Sequence, residues 1–315
     1  MKPFSLAIVG ATGLVGQAFL EILEKKAWPI ESIVLFASSR SVGKEVLFKG
    51  EKQSVRTINK GCFLEVDYAL FSINGQLSKV IAKQAVSEGC VVIDNSSAFR
   101  FDDAVPLVVP SVNGDLALKQ SLIANPNCST IQAVIPLAVL ATLSPIESIA
   151  YHTYQSVSGS GHKGVLALTR KLDYYPVDIT QTVLPHIDSM MGDGYTFEEV
   201  KMINETKKIL NDPTLRISAT CVRVPIERGH GVSVSVVTKE HVSLEAFKKA
   251  LKKQPMVELK NVPSTIDVAR LNKIQVGRLR KDYSHANGLL FYVAADNLYV
   301  GAAANAIDIL ERVIR

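Results

Sequence analysis

The opening of the chain constrains the fold most. SLAIVG, residues 5–10, is an unbroken apolar run of strand length. GATGLVG, residues 10–16, interrupts it with three glycines, and LVGQAFLEILEKKAW then repeats apolar residues at helical spacing. A strand that turns on glycines straight into a helix is the start of a βαβ unit. ESIVLFASS, DYALFSI and CVVIDNSS read as further strands, and LSKVIAKQAVSEG as a helix closed by a glycine. Strands apolar on both faces, alternating with helices, imply an α/β fold with a Rossmann-type doubly wound parallel sheet.

The pattern changes beyond residue 128. IESIAYHTYQSVSG, RISATCVRVPI, GVSVSVVTKE, KIQVGRLRKDY and GLLFYVAAD are long and partly alternating, with SLEAFKKALKK helical between two of them. They imply an α+β domain with a mostly antiparallel sheet. The chain has 315 residues, more than one core usually organises. The expected division is 1–128 for dinucleotide binding and 129–299 for catalysis and dimerisation. The amphipathic segment 300–315 is expected to pack back on the first domain.

Charge and cysteine usage narrow the class. The net charge of +5 is spread along the sequence without a Lys/Arg run, so no nucleic-acid partner is expected. No apolar run reaches spanning length, and no charged n-region precedes a long apolar stretch. Neither a membrane segment nor a signal peptide is expected. The four cysteines form no C-x-x-C pair and share no ligand spacing with the histidines. That implies cytoplasmic thiols, no disulfide framework and no metal site.

Within GATGLVG, Gly10 opens a turn that lets backbone approach a pyrophosphate at a helix N-terminus. The second strand ends FASSRSVG. It has no carboxylate for ribose hydroxyls, and Ser38, Ser39, Arg40 and Ser41 suit a 2′-phosphate, so NADP is the expected cofactor. In ANPNCSTIQ, Asn127 can cap the helix that Cys128 begins. A thiol there feels the helix dipole, which lowers its pKa from about 8.5. Cys62, Cys90 and Cys221 read as filler. A nucleophilic thiol beside a nicotinamide implies a thioester path with an acid/base, and His230, at a glycine-flanked turn, is the first candidate. His152, His162 and His186 are rivals. No tyrosine has lysine four residues on, which excludes the Y-x-x-x-K reductases.

Taken together, GATGLVG, ASSRS, IDNSSAFR, VPLVVPSVN, NPNCSTIQ, YQSVSGSG, PHID, EEVKMINETKKIL, RVPIERGH, VGRLRKD and DNLYVGAAANA occur in an order that resembles the aspartate-semialdehyde dehydrogenase family nearly end to end. N-acetyl-glutamyl-phosphate reductases share the logic but carry an NPGCY-like turn, unlike NPNCST. A non-catalytic paralogue would have lost Cys128, Gln155 or His230.

The resemblance implies reversible reduction of 4-phospho-L-aspartate by NADPH to L-aspartate 4-semialdehyde and phosphate, on the route to lysine, threonine, methionine and diaminopimelate. It implies Cys128 as nucleophile, His230 as proton acceptor and Gln155 as the group orienting the intermediate. Arg100 and Lys201, with Asn127 nearby, would hold phosphate. Arg223 would grip the α-carboxylate and Glu198 meet the α-ammonium. Thr12, Gly13, Leu14, Val15, Arg40, Ser41, Ser158, Gly159 and Asn297 would contact NADP, in a homodimer or homotetramer. Without the resemblance, Glu198, Lys201, Glu205 and Lys208 read as a solvent-exposed ion-pair ladder on one helix.

Overall fold

In the computed structural model, which describes residues 2–314, the chain divides into two compact units. One is Met1–Pro126 with Ala302–Arg315, the other Asn127–Gly301. The split falls after Pro126, so Asn127 and Cys128 group with the second unit.

The first unit is built on seven strands: β1 (Phe4–Val9), β2 (Ile30–Phe36), β3 (Glu45–Phe48), β4 (Glu51–Arg56), β5 (Tyr68–Phe71), β6 (Val91–Asp94) and β7 (Leu122–Ala124). They lie in the order β3-β4-β2-β1-β5-β6-β7. All pairs are parallel except the β3–β4 hairpin. β1 is central, with β2 on one side and β5 on the other. The crossovers change direction there, opening a crevice at the carboxyl ends of these strands. Helices α1 (Leu14–Glu24), α2 (Gly75–Ser87) and α3 (Pro110–Asn113) connect the strands. The C-terminal helix Ala304–Val313 belongs to this unit. Its Asn305 amide donates to Val108 O at 3.0 Å and Asn125 Oδ1 at 2.7 Å, and Lys26 pairs with Glu311 at 2.8 Å.

The second unit holds a six-stranded sheet of β8 (Ile146–Gln155), β9 (Arg216–Arg223), β10 (His230–Thr238), β11 (Val257–Leu259), β12 (Ile274–Lys281) and β13 (Gly288–Ala295). The order is β11-β12-β13-β10-β8-β9. The three inner pairs are antiparallel, and the two outer strands, β9 and β11, join in parallel. Helix α4 (Cys128–Ala141) is apolar nearly all round and buried along most of its length. Such a helix belongs in a core. α5 (Gly161–Leu168), α6 (Phe197–Ile209) and α7 (Leu244–Leu251) complete the unit. No helix among the described residues is long and apolar enough to cross a membrane.

Candidate active site

In the first unit, the glycine turn follows β1 at the carboxyl edge of the sheet. Gly10 has φ +92°, and a Cβ at Gly16 would lie 2.2 Å from Gly10 O. Neither position admits a side chain without moving backbone. Gly13 caps α1 without a side-chain acceptor for its first N–H groups. Thr12 Oγ1 lies 3.4 Å from Ser41 Oγ, so the turn and the end of β2 are neighbours. Ser38 and Arg40 are exposed on that rim, and Leu14 and Val15 begin α1. A cradle of backbone amides beside an exposed arginine fits a phosphorylated dinucleotide. Arg100 also belongs to this unit, buried, with Nη2 donating to Asn95 O at 2.8 Å.

In the second unit, Asn127 determines how Cys128 is presented. Its Oδ1 accepts from Ser129 N at 2.9 Å and Thr130 N at 3.4 Å, capping α4. Its Nδ2 donates to Glu198 Oε1 at 2.9 Å, and its backbone N–H to Glu205 Oε2 at 2.6 Å. The residue before the thiol is therefore held at three points. A Cβ at Gly301 would come within 2.7 Å of Cys128 Cβ, so glycine leaves the cysteine its room.

Glu198 ties this turn to the end of β8. Gln155 Nε2 donates to the same Oε1 at 3.0 Å, and Lys201 Nζ pairs with Oε2 at 2.6 Å. Burial alone would raise the Glu198 pKa. The charge of Lys201, with hydrogen bonds from Lys201, Asn127 and Gln155, more than reverses this and leaves it at about 2. Lys201 also meets Asp188 at 3.0 Å. The exposed ladder is thus corrected: Glu198, Lys201 and Glu205 are buried, because α6 turns that stripe toward the Asn127 turn and β8.

Arg223 and His230 lie beside the residue after Gln155. Arg223 is buried, and its Nη1 donates to Ser156 O at 2.7 Å. Its Nε has no partner, and no carboxylate pairs with it among the described residues. His230 is fully buried. Its Nδ1 accepts from Ser156 N at 3.0 Å, and Nε2 has no partner among the described residues. A Cβ on Gly159 would lie 2.8 Å from Arg223 Nη1 and 3.3 Å from His230 Nε2, so glycine keeps both groups uncovered. A buried guanidinium without a carboxylate and a buried ring nitrogen without a partner are costly unless a polar ligand meets them.

Two models describe the chain by parts: semialdehyde dehydrogenase, NAD binding domain, over residues 5–120, and semialdehyde dehydrogenase, dimerisation domain, over 137–300. An aspartate-semialdehyde dehydrogenase of Aquifex aeolicus is 42% identical, covering 99% of this chain and 98% of its own. The chain belongs to the aspartate-semialdehyde dehydrogenase family. The fold is also that of the crystal structure of aspartate semialdehyde dehydrogenase II complexed with ASA from Vibrio cholerae. The TM-score is 0.97, with 38% identity and coverage of 100% of this chain and 99% of that one. The aspartate semialdehyde dehydrogenase with NADP from Candida albicans gives a TM-score of 0.81 at 25% identity, covering 99% and 98%.

For a chain of this family, the second unit brings together Cys128, Asn127, Gln155, Glu198, Lys201, Arg223 and His230. Asn297 and Ser158 lie in the same network, with Asn297 Oδ1 accepting from Gly229 N at 2.9 Å. His152, His162 and His186 are exposed. The other thiols differ from Cys128 in setting: burial pushes Cys90 up to about 12, raises Cys221, and raises the half-buried Cys62. No group of His, Cys, Asp or Glu among the described residues could hold a metal ion. Residue reading missed Ser156, Glu199 and Asp188, and set Glu205 on an exposed face although it is buried. Glu199 completes a capping box with Thr196 and accepts from Cys221 N at 2.9 Å, fastening α6 to β9. One signal was available for Glu205, which stands two turns beyond Glu198 on the same helical face.

Burial, then the charge of Arg223, lowers the His230 pKa from 6.5 to about 3, against the opposing pull of Glu198. The unfolded chain therefore binds the extra proton between those values. The stability contributed by the neutral ring is complete above pH 6.5 and is lost as pH falls toward about 3. At pH 5 this loss is about 2 kcal/mol. Urea midpoints at pH 8 and pH 5 should show the unaltered protein losing about 2 kcal/mol more than His230→Gln. Equal losses would show that the folded ring is charged.

Proposed function

We propose that this chain is an NADP-dependent aspartate-semialdehyde dehydrogenase that works through a thioester on Cys128. The observation that carries the reading is the buried, carboxylate-free Arg223 beside the unpartnered Nε2 of His230. Both lie in one unit with a cysteine at a helix N-terminus. Arg223 offers a planar fork to the substrate α-carboxylate, Glu198 a negative charge to the α-ammonium, and Lys201 and Arg100 positive charge to phosphate.

The Cys128 thiolate attacks the acyl carbon of 4-phospho-L-aspartate. A C–S bond forms, the acyl C–O bond breaks with the O–P bond intact, and inorganic phosphate leaves, taking from water the proton that the overall reduction consumes. Gly10, Thr12, Gly13, Leu14 and Val15, with Ser38, Arg40, Ser41, Ser158, Gly159 and Asn297, would hold the dinucleotide, which when bound would supply the hydride. The C–S bond then breaks, sulfur keeps the electron pair, and the aldehyde departs. Asn127 and Gln155, anchored on Glu198, hold the acyl group in register. The product is a precursor for lysine, threonine, methionine and diaminopimelate. We place the enzyme in the cytoplasm as a homodimer or homotetramer.

Mixing protein, NADP⁺ and L-aspartate 4-semialdehyde should produce phosphate-dependent absorbance at the NADPH band. No signal in a protein that binds NADP⁺ would refute the reading. Arg40→Asp should weaken NADP⁺ by at least about tenfold relative to NAD⁺, the discrimination of one lost charge-assisted contact. Equal weakening of both would remove Arg40 from the 2′-phosphate.

A further inference from the structure

In the first unit, the C-terminal helix Ala304–Val313 is joined by a line of asparagine amides to the loop that carries Arg100. We infer that Asn305, acting through Asn125 and Asn95, is a positioning residue for phosphate. It holds the loop 95–100 so that the Arg100 guanidinium is set for the phosphate group. This rests on the phosphate role proposed for Arg100 above.

Asn95 and Asn125 stand just beyond the carboxyl ends of β6 and β7. Backbone bonds carry the sheet on to them: Asn95 N donates to Phe71 O at 3.0 Å, and Asn125 N to Asp94 O at 2.8 Å. Their side chains then meet, with Asn125 Nδ2 donating to Asn95 Oδ1 at 2.5 Å. The second hydrogen of that amide goes to Ala302 O at 3.3 Å. Behind it, Asn305 Nδ2 donates to Asn125 Oδ1 at 2.7 Å and to Val108 O at 3.0 Å. Each of these two amides uses both its N–H groups, and each has a backbone carbonyl among its acceptors. A carbonyl can only accept, so neither amide can turn over without losing its hydrogen bonds. The line of amides therefore has one direction, from the helix to Asn95.

Asn95 passes this restraint to the arginine. Its carbonyl accepts from Arg100 Nη2 at 2.8 Å. The residues between are tied to one another. Asp94 accepts from Ser96 N at 3.1 Å and from Ser96 Oγ at 2.6 Å, and Ser96 Oγ accepts from Ala98 N at 3.1 Å. The loop is thus one braced piece that starts at Asn95, and the amides fix where it starts. Asn125 and Asn305 are buried. Burying amides is costly unless every N–H finds an acceptor, and a satisfied network rigidifies what it touches. Fastening the C-terminal helix alone is served by the Val108 bond and the Lys26–Glu311 pair. The bond to Asn125 adds the path to Arg100.

The test uses the full chain in the oxidative direction, where inorganic phosphate is a substrate beside NADP⁺ and L-aspartate 4-semialdehyde. Asn305→Ala should raise KM for phosphate by about 3–10-fold, the factor of one hydrogen bond. KM for NADP⁺ and for the semialdehyde should stay within about twofold, since no binding contact to either is removed. Asn125→Ser breaks the line of amides at its centre and should give the same split, and it carries the test where Asn305→Ala does not fold. In an Arg100→Gln background, adding Asn305→Ala should change kcat/KM for phosphate by less than about twofold, because the group it acts through is gone. A uniform rise in all three KM values would overturn the inference. So would an unchanged phosphate KM in a folded variant, or the full effect of Asn305→Ala on top of Arg100→Gln. Failure of the underlying reading is distinct: the unaltered protein would show no turnover, or Arg100→Gln would leave KM for phosphate unchanged.

Discussion

Replacing Cys128 by alanine is expected to lower turnover by at least about 10⁴-fold while leaving the fold and NADP⁺ affinity unchanged. In the proposed mechanism the sulfur forms and breaks the only covalent bond between enzyme and substrate, so no partial version of the reaction would survive its loss. The glycine turn after β1 and Arg40 beyond β2, which the proposal gives to the dinucleotide, belong to the other unit. Asn127 still caps α4 through Ser129 and Thr130, so the helix start does not depend on the thiol. Calorimetric titration with NADP⁺ beside the rate assay separates the two effects. Appreciable dehydrogenase activity in Cys128→Ala would rule out the thioester.

The second large effect is expected at Glu198. Its carboxylate receives Asn127, Gln155 and Lys201 in a buried position, so Glu198→Ala strands three donors together. Breaking a buried ion pair costs about 3–5 kcal/mol. Lys201 keeps Asp188, whose side chain is 40% exposed, so the lower part of that range is expected. Activity should fall as well, by about 10²-fold, because the Asn127 turn and Gln155 lose their shared anchor. The unaltered pair also carries a pH signature. The Glu198 pKa is lowered from 4.5 to about 2 in the fold, so its contribution is present above pH 4.5 and is lost as pH falls through about 2. Urea midpoints at pH 7 should therefore separate the variant from the unaltered protein, and the gap should narrow by pH 3. A gap independent of pH would show that Glu198 acts by packing alone.

Much of this was legible in the residues because several signals coincide in single segments. GATGLVG carries meaning between an apolar run and a helical one, and NPNCST joins a stiff turn, a capping asparagine and a thiol. The doubly wound sheet followed from strands apolar on both faces. The β3–β4 hairpin was not legible, since EVLF and EKQSVR are short, charge-bearing segments that each bury a single apolar residue, Phe48 and Val55. α6 was misread for a related reason. Charges at helical spacing look the same whether they face water or one another across a buried seam. Only the tertiary position of the Asn127 turn decides that Glu198 and Glu205 point inward. Ser156 meets His230 and Arg223 through its backbone N–H and carbonyl, which leave no compositional trace.

The proposed mechanism requires a covalent acyl group on Cys128. Its most direct test mixes the protein with 4-phospho-L-aspartate without NADPH and follows phosphate release and intact mass. A burst of one phosphate per chain is expected, with a matching aspartyl mass on the peptide containing Cys128. NADPH, added afterwards, should discharge it as aldehyde. Steady turnover with NADPH but neither burst nor adduct would contradict it.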